Sequence, residues 1–228
     1  MQIEDFLSRL GILFKDMRLV RQAFTHRSYV NEHRGEVVEH NERLEFLGDA
    51  VLELAVTDFL YGKYPESTEG ELTSYRAALV NTNSISEAAT ELGMNDHLLL
   101  SKGESKDTGR ARQYILANTF EAFIGALYLD QGYAAAQVFI ANALFHKAEN
   151  IVAQRLWQDA KSRFQEMAQE KEGHTPSYEM LEESGPDHDK HFVAGIYIGE
   201  KLVARGEGSS KQEAEQSAAE AGLKAKSW

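Results

Sequence analysis

The segment from residue 41 to residue 55, NERLEFLGDAVLELA, constrains the fold more than any other part of the chain. Its large apolar side chains are distributed around the whole circumference of a helix, which is typical of a buried helix. Glu42, Glu45 and Asp49 nevertheless recur at i, i+3 and i+7, so three carboxylates share one stripe. Buried carboxylates are costly unless a cation meets them. The segment therefore predicts a buried helix whose acidic stripe faces a positive charge.

A second apolar helix, predicted from Tyr114 to Leu129, repeats this arrangement. Asn118 and Glu121 lie at i and i+3 on one of its faces. Two buried helices that each bring oxygen ligands inward favour a hard divalent cation, Mg²⁺ or Mn²⁺. Glu69, just before another predicted helix, could add an oxygen. The alternative is structural, with acids that favour a helix N-terminus and pair with nearby arginines.

Other metal and phosphate sites do not fit the sequence. A carboxylate di-iron bundle needs Glu-x-x-His pairs, and none of the eight histidines has a glutamate three residues before it. Neither an H-E-x-x-H zinc motif nor a Walker phosphate loop is present. An oxygen-ligated magnesium site that acts on a phosphodiester survives this elimination.

Composition sets the broad class of the protein. The chain has 228 residues, enough for one large or two modest domains, and no cysteine, which excludes disulfides and thiolate metal sites. The N-terminus lacks the features of a secretory signal, and the most apolar run is too short and polar to span a bilayer. We therefore expect a cytoplasmic protein. The net charge of −12 argues against a nucleic-acid partner on average, although a local basic patch can override it.

The order of predicted elements indicates two domains and a mainly α fold. Residues 1–150 are expected to form an all-helical domain, in which Asn41 caps a long helix that ends near Leu60. Residues 101–112 are expected to be a mobile loop, and residues 151–157 a linker. Residues 158–228 show the order α-β-β-β-α, which predicts a three-stranded antiparallel sheet with both helices on one side. Gly199 and Glu200 fit a two-residue hairpin turn.

Several segments resemble those of bacterial ribonuclease III. NERLEFLGDAVLELAV is similar to the signature segment of that family. FTHRSYVNE, EGELTSYRAALVN and ILANTFEAFIGALYLDQG resemble further family segments in the same order. The tail, from DAKSRFQEMAQE to GSSKQEAEQSAA, resembles a double-stranded-RNA-binding domain. Together these segments cover nearly the whole chain.

The resemblance implies an endoribonuclease that cuts double-stranded RNA with Mg²⁺, for which Mn²⁺ can substitute. Family members leave 5′-phosphate and 3′-hydroxyl ends with short 3′ overhangs, and commonly process ribosomal RNA precursors and other RNAs. They work as homodimers without a membrane or a nucleotide cofactor. The positions that match the family's catalytic acids are Asp49, Glu121, Glu42 and Glu69, and those that match its metal ligands are Glu45, Asp49, Asn118 and Glu121.

Position 118 departs from the family pattern, because some members carry aspartate there. The amide oxygen of Asn118 can ligate Mg²⁺ but removes one negative charge from the site. We therefore predict retained activity with weaker metal affinity than an aspartate would give.

The resemblance also implies four RNA-binding residues in the second domain. Lys211 begins the last helix, where its charge and the helix N-terminus can face phosphates together. Gln165, Glu166 and His188 match positions that reach two successive minor grooves and read A-form shape rather than sequence. Family members usually carry a second basic residue beside the lysine, but here Gln212 and Glu213 follow.

Two alternatives stay open at this point. The first is a double-stranded-RNA-binding protein that has lost efficient catalysis, suggested by Asn118 and the acidic charge balance. The second is a helical metalloprotein unrelated to RNA, which the missing Glu-x-x-His pairs and the α-β-β-β-α tail disfavour.

Overall fold

A computed structural model of the chain describes residues 3–35, 39–153, 157, 159–186 and 190–228. The chain divides into two compact units, Met1–Trp157 and Gln158–Trp228. The first unit is helical and the second carries the sheet, so the predicted mainly α fold class is confirmed. The predicted linker of residues 151–157 stays a prediction, although the last helix of the first unit continues to Ala153.

Nine α-helices are described in the first unit, and they are connected mostly by short turns. Two short 3₁₀ turns, Met94–His97 and Glu104–Lys106, precede the seventh helix, and a π-helical segment, Ala141–Phe145, joins the last two. In chain order the helices are α1 (Ile3–Leu10), α2 (Met17–Ala23), α3 (Arg27–Glu32), α4 (Glu42–Lys63), α5 (Glu69–Val80), α6 (Thr82–Glu91), α7 (Arg110–Gln131), α8 (Tyr133–Ile140) and α9 (His146–Ala153).

The core of the first unit is centred on α7, whose middle section is buried. Phe123 of this helix lies in edge or tilted contact with the rings of Phe6, Phe24 and Phe139. Aromatic pairs at these angles add to the stabilisation that apolar burial supplies. The position of α7 is therefore fixed by packing against elements from both ends of the unit.

Two local predictions for the first unit need correction. Asn41 is the N-cap residue of α4 as predicted, but its side chain makes no cap bond; its buried amide donates instead to the carbonyl oxygen of Ala23. The segment 101–112 is not one loop, because a 3₁₀ turn forms within it and α7 already begins at Arg110. Both results reflect tertiary contacts and helix extension that local residue preferences do not reveal.

The prediction that the two acidic helices are buried on every side is also wrong. Phe46, Leu54 and Tyr61 of α4 are 80%, 57% and 75% exposed. Tyr114 and Leu129, near the two ends of α7, are likewise exposed. Apolar residues around the whole helix therefore cover the core on one side and a solvent-facing surface on the other.

The second unit follows the predicted order. Helix α10 (Ala160–Glu172) precedes the sheet, and helix α11 (Lys211–Lys226) follows it. Its antiparallel sheet has the strand order β1-β2-β3, and Gly199, with φ of +58°, forms the hairpin turn between the last two strands. The strands are β1 (Pro176–Ser184), β2 (His191–Ile198) and β3 (Lys201–Gly208).

Both helices of the second unit cover one face of this sheet. Phe164 of α10 and Ala218 of α11 share a buried core with Ala194 and Ile196 of β2. Small residues on α11 allow close approach, since a Cβ on Gly206 of β3 would overlap the backbone of that helix. The predicted arrangement of the two helices is confirmed. Across the described residues of both units, no helix is long and apolar enough to cross a membrane.

Candidate functional site

Helices α4 and α7 cross in direct backbone contact at two glycines. A Cβ built on Gly48 would overlap the carbonyl oxygen of Glu121 and lie 2.8 Å from the amide nitrogen of Gly125. A Cβ on Gly125 would in turn overlap the carbonyl oxygen of Leu44. Glycine inside a helix costs about 1 kcal/mol relative to alanine, but here the missing side chains allow the two backbones to touch. The crossing places Glu121 beside the acidic stripe of α4.

Glu121 is the most strongly perturbed acid at this crossing. Its pKa is raised to about 8, chiefly by burial and in addition by the negative charges of Asp49, Glu45 and Glu53. In the absence of a cation, Glu121 therefore holds a proton at neutral pH. A divalent cation can replace that proton and relieve the repulsion between the carboxylates. The structure thus brings together Glu121, Asp49 and Glu45, the three acids that the sequence assigned to metal binding.

Glu45 occupies the centre of the stripe on α4. Burial raises its pKa, and the charges of Glu42 and Asp49 act in the same direction. Glu42 lies at the outer end of the stripe, where its carboxylate oxygens are 3.6 Å from a guanidinium nitrogen of Arg27 and 3.7 Å from Nδ1 of His40. Glu42 therefore has a cationic neighbour in Arg27, whereas Glu45 faces only acidic charges among the groups that shift its pKa.

Glu69 lies apart from this acid group. It is the exposed first residue of α5, and its carboxylate accepts a hydrogen bond of 3.4 Å from the hydroxyl of Thr73. Thr68 and Glu71 form the capping box of this helix, so Glu69 is not needed as a cap. Among the described residues, Glu69 does not contribute to the charges that raise the pKa of Glu121 or Glu45.

Glu53 joins the acid group although the sequence analysis did not select it. It lies one turn after Asp49 on α4, and its charge acts on Glu121. Arg76 of α5 binds it, with Nε donating to a Glu53 oxygen at 2.8 Å and a terminal nitrogen donating to the hydroxyl of Thr57 at 2.9 Å. The signal in the sequence was the continuation of the acidic stripe by one more turn.

Asn118 lies on α7 one turn before Glu121 and is partly buried. Its neighbour Thr119 is fully buried and donates its hydroxyl to the carbonyl oxygen of Ile115, so this hydroxyl is hydrogen-bonded within α7. The amide oxygen of Asn118 is a hard donor, as are the carboxylates of the crossing, and donors of this kind suit Mg²⁺ or Mn²⁺.

The side chains are not gathered into a closed metal cage. Within residues 3–35, 39–153, 157, 159–186 and 190–228, no three Asp, Glu or His side chains lie close enough together to hold an ion directly. Mg²⁺ usually keeps several waters and binds through only one or two carboxylates plus substrate phosphates. The raised pKa of Glu121 and the oxygen donor set therefore fit a hydrated Mg²⁺ ion.

Three exposed apolar side chains of α4 lie beside the acids. Phe46, Leu54 and Tyr61 fall on one face of the helix, adjacent to the stripe that carries Asp49 and Glu53. Large exposed apolar side chains grouped in this way mark an interaction surface. We refer to these three residues as the α4 apolar face.

In the second unit, three of the four predicted RNA-binding residues lie on the two helices. Gln165 and Glu166 are exposed on α10, next to Phe164, whose ring is buried in the core. Lys211 is the first residue of α11, directly after Ser210, whose hydroxyl accepts the amide of Glu213 as an N-cap. His188 lies outside the described residues.

Lys211 is paired with an acid of the sheet. Its ammonium nitrogen is 3.8 Å from a carboxylate oxygen of Glu183 and 6.0 Å from the ring centre of Phe192. Glu213, which replaces an expected basic residue nearby, accepts hydrogen bonds from the backbone and hydroxyl of Ser209. Glu213 thus stabilises the start of α11, while the basic charge at this helix end comes from Lys211.

Comparison with protein families gives a match for each unit. Residues 16–148 match a family model described as ribonuclease-III-like, and residues 160–226 match a double-stranded RNA binding motif. The first match contains α4, α5 and α7, and the second contains α10, the sheet and α11. The two matches therefore correspond to the two units seen in the structure.

Individual proteins show the same similarity along most of the chain. A protein named ribonuclease 3 from Enterococcus faecalis is 48% identical over 220 residues, covering 96% of this chain and 95% of that protein. Ribonuclease 3 from Bacillus licheniformis is 46% identical over 222 residues, covering 97% of this chain and 89% of that protein. A solved ribonuclease III nuclease domain from Campylobacter jejuni, described for flexibility in a region involved in dimer formation, is 38% identical with a TM-score of 0.56, covering 62% of this chain and 98% of that domain.

Proposed function

This chain belongs to the ribonuclease III family, and we propose that it cuts double-stranded RNA with Mg²⁺ at the crossing of α4 and α7. The protein is an endoribonuclease with a C-terminal double-stranded-RNA-binding domain. The observation that supports the location of the site is the raised pKa of Glu121 beside Asp49 and Glu45. Carboxylates that repel each other in a partly buried position favour a divalent cation.

The residues of the crossing have separate roles in this proposal. Asp49, Glu121 and Glu45 would hold Mg²⁺ together with the amide oxygen of Asn118. When bound, Mg²⁺ lowers the pKa of a coordinated water and offsets negative charge on the phosphate. Mn²⁺, which also accepts oxygen ligands, can substitute. Because water is the nucleophile in this scheme, no side chain of the protein needs to attack the phosphorus.

Glu42 and Glu69 act further from the metal. Glu42 lies at the outer end of the stripe beside Arg27 and His40, where it can orient water and cations near the scissile phosphate. Glu69 is exposed at the start of α5 and can act only on a substrate or partner that reaches it. We expect the loss of either side chain to cost less activity than the loss of Glu121.

The α4 apolar face supports assembly into a homodimer. It exposes three large side chains next to the proposed site, and burying such side chains against a second copy is favourable. The related Campylobacter domain is described as having a region involved in dimer formation. In a twofold dimer through this face, the acid group of each copy would lie beside the interface. Each copy would then cut one strand, which would leave staggered ends with short 3′ overhangs.

The second unit provides the proposed RNA grip. Lys211 and the N-terminus of α11 bind phosphate oxygens, while Gln165, Glu166 and His188 contact 2′-hydroxyls in the minor grooves. Contacts of this type recognise the A-form shape of a duplex rather than its sequence. We propose that the natural substrates include ribosomal RNA precursors and other structured RNAs of the cytoplasm.

Incubation of the purified protein with a fully paired RNA duplex tests the proposal. The reaction is run in Mg²⁺, in Ca²⁺ and with a chelator, and the product ends are mapped. We expect cleavage in Mg²⁺ but not with the chelator, with 5′-phosphates and staggered 3′ ends. Binding without cleavage in every condition would instead favour an RNA-binding protein in which Asn118 has removed the metal function.

A further inference from the structure

The carboxylate of Glu183 lies between Lys190, which directly precedes β2, and Lys211, the first residue of α11. Nζ of Lys190 donates to one Glu183 oxygen at 2.9 Å, and Nζ of Lys211 lies 3.8 Å from the other oxygen. Both ammonium groups therefore share one negative charge. The Lys211 contact is longer than a hydrogen bond, so it is an ionic attraction that another acceptor can replace.

A β-bulge brings Glu183 to this position. The register of β1 against β2 shifts between Met180 and Glu182, so Leu181 has no partner in the ladder and Glu183 pairs with Phe192. Phe192 belongs to the core beneath the helices, so its cross-strand partner lies on the same face of the sheet. Glu183 is thus presented on the helix-covered face, next to the first residue of α11.

The three charges are accessible to a ligand of the second unit. The side chains of Lys211 and Glu183 are 64% and 42% exposed. The hydrogen bond from Lys190 lowers the pKa of Glu183, and the charges of Lys190 and Lys211 lower it further, so the carboxylate is ionised at neutral pH. A phosphate that approaches Lys211 therefore meets a fixed negative charge less than 4 Å from the ammonium group.

We propose that Glu183 limits the affinity of the second unit for the RNA backbone, because its carboxylate competes with phosphate for Lys211. The inference rests on the proposed function, which takes Lys211 as a phosphate contact. Each contact between Lys211 and phosphate is made in exchange for the contact between Lys211 and Glu183. The net gain from the lysine is therefore smaller than its position at a helix N-terminus would otherwise give.

Duplex binding by full-length Glu183→Gln tests this role against a matched variant. Glu179→Gln makes the same charge change at an exposed position of β1, opposite Gly195 and away from Lys211. Affinity for a labelled RNA duplex is measured by fluorescence anisotropy with a chelator present, so that binding is separated from cleavage. We expect Glu183→Gln to bind about two- to fivefold more tightly, the scale of one exposed ion pair, and Glu179→Gln to bind like the wild type.

The same substitution in a Lys211→Ala background separates competition from a general charge effect. If Glu183 acts through Lys211, the gain from Glu183→Gln is lost in that background. Equal affinities of Glu183→Gln and Glu179→Gln, or weaker binding by Glu183→Gln at unchanged melting temperature, would overturn the inference while leaving the proposed function intact. Failure of the wild type to bind the duplex would overturn the proposed function itself.

Discussion

The two functional regions of this protein handle charge in opposite ways. At the crossing of α4 and α7, acids are brought together in a partly buried position until the pKa of Glu121 rises to about 8. At the start of α11, the basic residue Lys211 already has an acidic neighbour, Glu183. Only acidic charges act on Glu121 in the first region, and we propose that a cation from solution balances them, whereas Lys211 in the second region already has a partner of opposite charge.

This difference explains how a chain with a net charge of −12 can bind RNA. The excess acid in the first unit can be offset by divalent cations at the proposed cleavage site. The second unit needs only a local positive charge, and it keeps that charge partly compensated. Net charge alone is thus a poor guide to the partner, because the two regions depend on different local fields.

The largest expected effect comes from replacing the carboxylate of Glu121 at the crossing. Glu121→Gln should lower the cleavage rate by roughly 10²–10³-fold, since a metal-bound catalytic water is worth several kcal/mol. Duplex affinity should stay close to that of the wild type, because the second unit is unaltered. Single-turnover cleavage at saturating Mg²⁺ measures the rate, and Glu66→Gln, at an exposed position of the α4–α5 turn, serves as the control. Substantial cutting by Glu121→Gln would contradict the assigned role.

Gly48→Ala breaks the backbone contact on which the first region depends. The added Cβ would overlap the carbonyl oxygen of Glu121, so the helices must separate. We expect a loss of about 3 kcal/mol in the free energy of unfolding, the upper part of the range for overpacking. Gly62→Ala, in the same helix but with open space around the glycine, should be neutral or stabilising by up to about 1 kcal/mol. Urea unfolding of both variants gives the comparison, and equal stabilities would refute the crossing.

Phe46→Glu extends the comparison to the α4 apolar face. A twofold dimer through this face loses two buried rings and gains two carboxylates, so its dissociation constant should rise by at least about a hundredfold. Sedimentation equilibrium measures the change. Leu13→Glu, at another exposed apolar side chain in the first unit, is the matched control and should leave the association unchanged. A wild-type protein that is monomeric at micromolar concentration would contradict the dimer.

Lys211→Ala removes the basic charge of the second region. Affinity should fall by about three- to tenfold for all duplex sequences, the value of one polar contact. The dependence of affinity on salt should weaken by roughly one phosphate contact. Lys224→Ala, near the other end of α11, removes the same charge away from the proposed contact and should change little. An unchanged affinity of Lys211→Ala would show that the second region binds RNA elsewhere.

Asn118→Asp sharpens the comparison by adding one more charge to the first region. The Mg²⁺ concentration that gives half-maximal cleavage should fall by about two- to tenfold, because ligand charge tunes the affinity of such sites. Asn142→Asp, at an exposed position in the π-helical segment, adds the same charge away from the crossing. Identical Mg²⁺ dependence in wild type and Asn118→Asp would show that this position does not contribute to the site.

The sequence predicted the acidic stripes well because helical periodicity alone determines which residues share a face. Glu45 and Asp49 on α4, and Asn118 and Glu121 on α7, needed only a count of 3.6 residues per turn. The order α-β-β-β-α was equally accessible, since strand alternation and the hairpin at Gly199 are local signals.

Other features depend on contacts between distant segments and could not be predicted in that way. From the sequence alone, Gly48 cannot be told apart from any other glycine inside a helix, because its role depends on the approach of α7. The direction of the Asn41 amide, which contacts Ala23 rather than its own helix, is likewise a tertiary choice. The excess of large apolar residues around Phe46 to Leu60 is visible in the sequence, but periodicity does not show which of them the core leaves uncovered.

The glycine crossing also determines how close the acids of α4 and α7 can come to each other. Main-chain atoms, rather than interlocking side chains, define the distance between α4 and α7 at the acid group. Core residues such as Phe123 and Leu52 hold the two helices in place, whereas the backbone at Gly48 and Gly125 limits how closely they can approach. Protein engineers who repack this core for heat resistance should therefore leave the two glycines unchanged, because any side chain there would push the acid-bearing helices apart.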